Sequence, residues 1–461
     1  MLTRIEINGF KTFEGFALDL SPFVVILGAN ASGKSNLFDA IRFLSHLSTS
    51  DLRTAVKGLR GEPYELFRKR GDGTSFSKMS FAVEVLLEPT VRDPWGSEVR
   101  ITHSRMRYEL EIEYRKDERG IERLVVAREE AKPISAREDR WLPWGEKVSR
   151  QFKKVFIHYA RQTPWLSTDK SDGGRPIFKI HSDGHGGRTR SAEWAEATVV
   201  SSITSAEFPH LYALREELRA WRFLQLDPMA LRRPSPTTAT EDLEPDGANL
   251  ATVLARIQAE TRTDTMPKGV LSDIITDLSD LIPGVIDLNV EEDKKNREYR
   301  VDVVMRGNPP FSSRVVSDGT LRILALLTLL HDPKHRGLIC FEEPENGVHP
   351  ARLKAMIKRL RELVSDPVSS ENSINSPLSQ IIMNSHSPVV LSGLQSYEAM
   401  FADIVDIIDP ETRSISRVTR FRPVLRQPQG NLKNLYAADK EIDFVSSFEV
   451  DSYLSTVNQE D

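Results

Sequence analysis

Two rhythms of apolar residues divide this chain. Leu2–Ile7 and Phe16–Leu20 alternate apolar with polar positions and predict strands with one buried face. Phe23–Leu27 is apolar throughout, which predicts a strand covered on both faces. After the glycine-punctuated stretch Gly28–Ser35, apolar residues recur at helical spacing (Leu37, Ala40, Ile41, Leu44) within Asn36–Leu47. Residues 76–130 alternate in several runs, among them Phe81–Leu87 and Tyr108–Tyr114, and predict antiparallel strands. Residues 167–192, rich in Gly, Ser and Asp, read as a mobile loop. Helical spacing returns over 207–225, Ala248–Ala259 and Val270–Leu281, with a connector at 232–247 and a hairpin at 287–305. From 311 the pattern sharpens: helix Gly319–Leu330, buried strand Gly337–Phe341, helix Arg352–Val364, a loose stretch 366–378 and strand Gln380–Asn384. Short strands are expected over 401–435, and no internal repeat or long heptad run is present.

Composition narrows the class. Lys and Arg number 62 against 67 Asp and Glu, a net charge of −5, so any nucleic-acid contact has to come from a local patch. Hydrophobic residues make up 39%, enough for a sizeable core. The longest apolar-rich stretch, Leu321–Leu330, is far short of the ~20 residues that cross a bilayer. The single cysteine, Cys340, rules out an internal disulfide framework and a Cys-based zinc cage. A globular, cytoplasmic protein with no membrane partner is expected.

The chemistry concentrates in four places. Gly28-Ala-Asn30-Ala-Ser32-Gly33-Lys34-Ser35 fits G-x4-G-K-S, the phosphate-binding P-loop, and lies between a buried strand and a helix as that loop requires. Its glycines would let amides turn in around phosphate oxygens, Lys34 would reach the β- and γ-phosphates, and Ser35 would ligate Mg²⁺. The helix opening at Asn36 would aim its positive end at the same group. The apolar strand Gly337–Phe341 ends in Glu342 and Glu343, a Walker B layout. There Glu342 would join the metal shell and Glu343 would act on the attacking water. Ser317-Asp318-Gly319 heads an apolar helix, as an anion-binding end or as an ordinary N-cap. His386 follows the next strand, within Asn384-Ser385-His386-Ser387-Pro388, where a γ-phosphate sensor belongs.

This ordered set resembles the ABC-type ATPase heads of the SMC/RecF/OLD group, and Ile7-Asn-Gly-Phe-Lys-Thr-Phe is similar to the opening of SMC-like heads. It is most similar to compact bacterial ATPases carrying Glu-Glu-Pro-Glu-Asn-Gly-x-His-Pro, of the kind found in anti-phage systems such as PARIS. The resemblance is specific over 1–47 and 311–392 and thin over 48–310. It implies an α/β fold: a P-loop head with a mixed sheet, an antiparallel β subdomain and a compact helical insertion. It also implies ATP and Mg²⁺ as cofactors and a homodimer, or a larger oligomer, built through composite ATP sites. Ser317 and Gly319 would touch the other subunit's nucleotide, Asn346, Gly347 and His349 would form the D-loop, and His386 would be the switch histidine. Lys11 would lie against the adenine. The Q-loop glutamine falls among Gln151, Gln162 and Gln225, with Gln162 preferred.

The resemblance divides the chain into a first ATPase lobe (1–165), a helical insertion (166–310), a second lobe (311–400) and C-terminal strands with an acidic tail (401–461). Asp403, Asp406 and Asp409 read as solvated strand ends, since the segment is too short for a Toprim nuclease. Thr412–Lys433 is basic, acids crowd from Asp439 onward, and Lys57, Arg60, Arg68, Lys69 and Arg70 form a second basic patch. Each is a candidate partner or DNA surface, or an ordinary solvated face. The functional expectation is a regulator ATPase in anti-phage defence that controls a separately encoded effector, such as a Toprim-like nuclease. The alternative is a RecF-like DNA-repair ATPase, which needs a basic groove. A transporter ATPase lacks any coupling signature here.

Overall fold

A computed structural model of the chain describes residues 1–141, 148–181, 183, 187–368, 376–395, 398–409, 412–425 and 444–460. Its centre is a seven-stranded sheet in the order Arg222–Leu224, Gly337–Glu342, Ser379–Ser385, Phe23–Leu27, Ala399–Ile408, Ile415–Leu425, Val445–Ser446. The first five strands run parallel. Parallel strands need cover on both faces, which explains their unbroken apolar runs. Val24, Ile26, Leu338, Cys340 and Ile382 point into one core, shared with the helix Lys34–Leu47 and an antiparallel sheet. Phe23, Val25, Leu27, Ile339, Phe341, Ile381 and Met383 point into the other, under helices Leu250–Thr261, Leu271–Leu281, Asp318–His331 and Pro350–Glu362.

The antiparallel sheet has eight strands in the order Arg188–Ser191, Pro176–Ile180, Leu166–Lys170, Glu122–Pro133, Arg105–Lys116, Lys78–Leu86, Leu2–Asn8, Phe16–Asp19. Phe81 from this sheet meets Phe43 of the helix at 5.8 Å and Phe10 at 5.4 Å between ring centroids, locking sheet to helix. The insertion combines two helices with a small sheet built on the hairpin Val285–Asp293/Glu298–Met305. Mixed sheet, β subdomain and helical insertion are therefore all present. Among the described residues no helix is long and apolar enough to cross a membrane.

The structure corrects expectations at two places and details a third. Residues 167–192 contain three strands, because Gly173 and Gly174 sit at a turn (Gly174, φ 74°) while Leu166, Phe178 and Ile180 are buried. The antiparallel sheet thus runs on to Ser191. Of the short strands expected over 401–435, the described residues hold two long ones, Ala399–Ile408 and Ile415–Leu425, both in the central sheet. The aspartates of this segment are not all solvated strand ends. Asp403 binds Arg420 at 2.7 Å and Arg422 at 2.9 Å, and Asp409 is buried against Arg70 at 3.1 Å, while Asp406 is exposed and faces Arg417 at 3.4 Å. Antiparallel register sets Asp403 opposite Arg420 and Asp406 opposite Arg417, so cross-strand acids balance this part of the basic stretch. Arg426, Lys433, Asp439, Glu441 and Asp443 lie outside the described residues.

Ile339 is fully buried between the sheet and the helical layer. Ile339→Ala is expected to lower stability by about 2–5 kcal/mol through the cavity it leaves, read as a reduced urea midpoint with an unchanged slope.

Candidate functional site

Strand register brings the sequence motifs together. Glu342 lies opposite Asn384, Asn384 opposite Ile26, and Ser385 opposite Leu27. The carboxyl ends of three adjacent parallel strands are therefore level, and such an edge is where open α/β sheets take ligands. Gly28–Ser35 turns over this edge. Gly33 has φ 93°, and a Cβ there would fall 2.1 Å from Thr419 Oγ1, so both its conformation and its neighbour demand glycine.

Lys34 is buried under the loop, and its Nζ donates to Gly28 O and Ala29 O, each at 2.6 Å. Burial pulls its pKa down to about 8, against the opposing pull of Glu343, Glu345 and Glu342. Glu342 ends its strand half-buried, and burial raises its pKa although Arg60 and Arg42 oppose the shift. Glu343 has φ 50°, strained for a residue with a side chain. Its amide donates to Asn384 Oδ1 at 2.9 Å, and its Oε2 accepts from Asn346 Nδ2 at 2.6 Å. Glu345 Oε1 accepts from Ser385 Oγ at 2.7 Å and from the His386 amide at 3.0 Å, with His386 Nδ1 3.4 Å away. No group of three His, Cys, Asp or Glu that could cage a metal occurs among the described residues, and Ser35 and Glu342 are too few to do so alone. They fit an Mg²⁺ ion that keeps waters and arrives with phosphates.

Several candidate residues have other partners in this chain. Lys11 Nζ binds the buried carboxylate of Asp39 at 2.6 Å and the Arg60 carbonyl at 2.9 Å. Asn36 Nδ2 donates to Thr12 Oγ1 at 2.9 Å. Arg60 donates to Ser35 O at 2.9 Å and also binds Asp39. Arg68 is buried on Glu14 and Arg70 is paired with Asp409, while Lys57, Arg60 and Lys69 are exposed, so this basic patch is only partly internal. Ser317 caps the helix Asp318–His331 through the Thr320 amide, yet it and Asp318 are exposed. Of the D-loop residues, Asn346 holds this chain's own Glu343, and His349 caps the helix Pro350–Glu362.

Among the glutamines, topology favours Gln225 over the preferred Gln162. Leu224 is level with Phe341, so Gln225 stands at the same sheet edge as Glu342. Gln162 lies in the segment before Leu166–Lys170, a strand of the antiparallel sheet. The 207–225 pattern hid this, because the helix stops at Arg219 and a three-residue strand follows. Sequence reasoning also missed Thr12, Thr419 and Asp39. Asp39, the one acidic residue of the helix Lys34–Leu47, carried the one legible signal.

Gly319 packs on the loop after Glu343, where a Cβ would sit 2.0 Å from Gly347 O. Gly→Ala inside a helix normally stabilises by about 0.5–1 kcal/mol. Here the clash reverses the sign: Gly319→Ala is expected to lower the thermal midpoint in calorimetry, and a raised midpoint would contradict the contact.

Known proteins share parts of this chain. Structural maintenance of chromosomes protein 1 of Schizosaccharomyces pombe is 37% identical over 89 residues, 19% of this chain and 7% of that protein. Its counterpart from Arabidopsis thaliana is 30% identical over 107 residues, 22% of this chain and 9% of the relative. The chain thus spans less than a tenth of these curated relatives. A solved Smc head bound to the C-winged helix domain of ScpA superposes with a TM-score of 0.49 at 13% identity, over 92% of this chain and 98% of that one. The family model described as "AAA domain, putative AbiEii toxin, Type IV TA system" matches residues 23–392, from the P-loop strand to beyond His386, and the chain belongs to that family.

Proposed function

We propose that this protein binds ATP with Mg²⁺ and hydrolyses it, and that its nucleotide state governs a separately encoded effector. One observation carries the reading: a buried lysine ammonium under a glycine loop, facing three glutamates, on the level carboxyl edge of parallel strands. Lys34 would leave the Gly28 and Ala29 carbonyls for phosphate oxygens, while Gly28, Asn30, Ser32, Gly33 and Asn36 shape the surrounding cradle. Ser35 and Glu342 would hold Mg²⁺, which when bound neutralises charge between the phosphates. Glu343, aimed by Asn346, is the group to accept a proton from the attacking water. His386, tied to Glu345 and one-third exposed, is placed to sense the terminal phosphate.

Exposure of Ser317 and Asp318, together with Val315 at 69%, supports a composite site in which this helix end caps a second subunit's nucleotide. The effector, a Toprim-like nuclease in an anti-phage setting, follows from the resemblance of the motifs. In the alternative RecF-like reading DNA would have to meet another surface than 412–425, where Arg417, Arg420 and Arg422 face aspartates.

Lys34→Ala is expected to abolish ATP binding, and Glu343→Gln to retain binding while losing at least about a hundredfold in turnover. Unimpaired turnover in Lys34→Ala would end the reading, and normal turnover in Glu343→Gln would move the base elsewhere. The pH dependence follows from the lowered Lys34 pKa. The free protein holds this ammonium below about pH 8 and loses it above, while phosphate binding needs the proton. ATP affinity is therefore expected to weaken between pH 7 and 9, measured by titration with a fluorescent analogue.

A further inference from the structure

A chain of side-chain hydrogen bonds grips the phosphate loop from outside. Asn36 Nδ2 donates to Thr12 Oγ1 at 2.9 Å, the Thr12 and Thr419 hydroxyls bond to each other at 2.7 Å, and Thr419 Oγ1 donates to Ser32 O at 3.3 Å. The direction is fixed, because an amide NH₂ only donates and a carbonyl only accepts. Each hydroxyl therefore takes one bond and gives one. The two ends of the chain fall on either side of Gly33-Lys34-Ser35, the three residues that meet phosphate and metal. Its two middle members come from sequence positions 407 apart. They are also joined through the backbone, where the Thr419 amide donates to Thr12 O at 3.0 Å. Thr419 is only 3% exposed, and its side chain fills the space where a Cβ on Gly33 would be.

We propose that Thr12 and Thr419 are positioning residues for nucleotide binding, acting as a two-hydroxyl clamp that fixes the aim of the Gly33–Ser35 amides and of Lys34. The proposal rests on the ATP reading above and deepens it. Neither threonine touches phosphate; both act through Ser32 and Asn36. Loss of the Thr419 hydroxyl leaves the Ser32 carbonyl without this partner, loss of the Thr12 hydroxyl unties Asn36 from Thr419, and either frees the loop to turn. Loop amides hold phosphate in the bound substrate and in the transition state alike. Loss of aim therefore weakens binding more than it slows turnover.

The test compares Thr419→Val, Thr419→Ser, Thr12→Val and the double valine variant with the native protein and with Lys34→Ala. The measurements are titration with a fluorescent ATP analogue, steady-state hydrolysis and thermal midpoints. Each single valine variant is expected to bind ATP about tenfold more weakly, with kcat within about twofold of native. Thr419→Ser keeps the hydroxyl and is expected to bind within about twofold of native. The double variant is expected to be no weaker than the worse single one, because one cut already breaks the chain. If Thr419→Val lowers the midpoint too far for titration, Thr12→Val carries the same expectation. Native-like affinity in the valine variants, or a serine variant as weak as valine, overturns the clamp while Lys34→Ala still reports on the loop. Failure of the native protein to bind ATP overturns the nucleotide reading and the clamp together.

Discussion

Everything at the candidate site depends on one constraint, the burial of a parallel strand on both faces. Phe23–Leu27 lies between Ser379–Ser385 and Ala399–Ile408, with alternate side chains feeding two separate cores. The strand cannot slide without exchanging those cores, since a one-residue slip turns each side chain to the opposite face. Its carboxyl end is therefore pinned level with Asn384 and Glu342. The positions of Gly28, Lys34, Glu343 and His386 follow from that register more than from any contact among themselves.

Much of this was legible in the sequence where the physics is local. Unbroken apolar runs announced the parallel strands, and the glycine spacing announced the loop. The Glu342-Glu343 pair sits at a strand end, as its position after Gly337–Phe341 implied. What stayed hidden depends on partners distant along the chain. The three residues Arg222–Leu224 are too few to show a period, so Gln225 could not be set beside Glu342. Leu166, Phe178 and Ile180 were masked by the polar turns between their strands. The aspartates at 403 and 409 looked solvated because their cations stand on another strand or on the segment before Phe76.

The charge pattern teaches the same lesson. A run of arginines without acids reads as a binding face when only neighbours in sequence are counted. In the antiparallel hairpin Ala399–Ile408/Ile415–Leu425, register places an aspartate opposite an arginine twice. Strand pairing thus offsets two of the three arginines in this ladder, and the exposed Asp406–Arg417 pair contributes little stability of its own.

The order of the central sheet also bears on how the molecule comes into being. Phe23–Leu27 leaves the ribosome early, but its two flanking strands belong to the last quarter of the sequence. At typical rates of synthesis, on the order of tens of seconds separate the strand from the neighbours that cover its edges. During that interval Phe23–Leu27 is an apolar segment with unpaired backbone on both sides, a species that invites mispairing. The long closure needed to end that exposure makes the sheet a slow, non-local folding step. A nascent chain therefore carries the whole phosphate-loop motif long before it has a loop of defined shape.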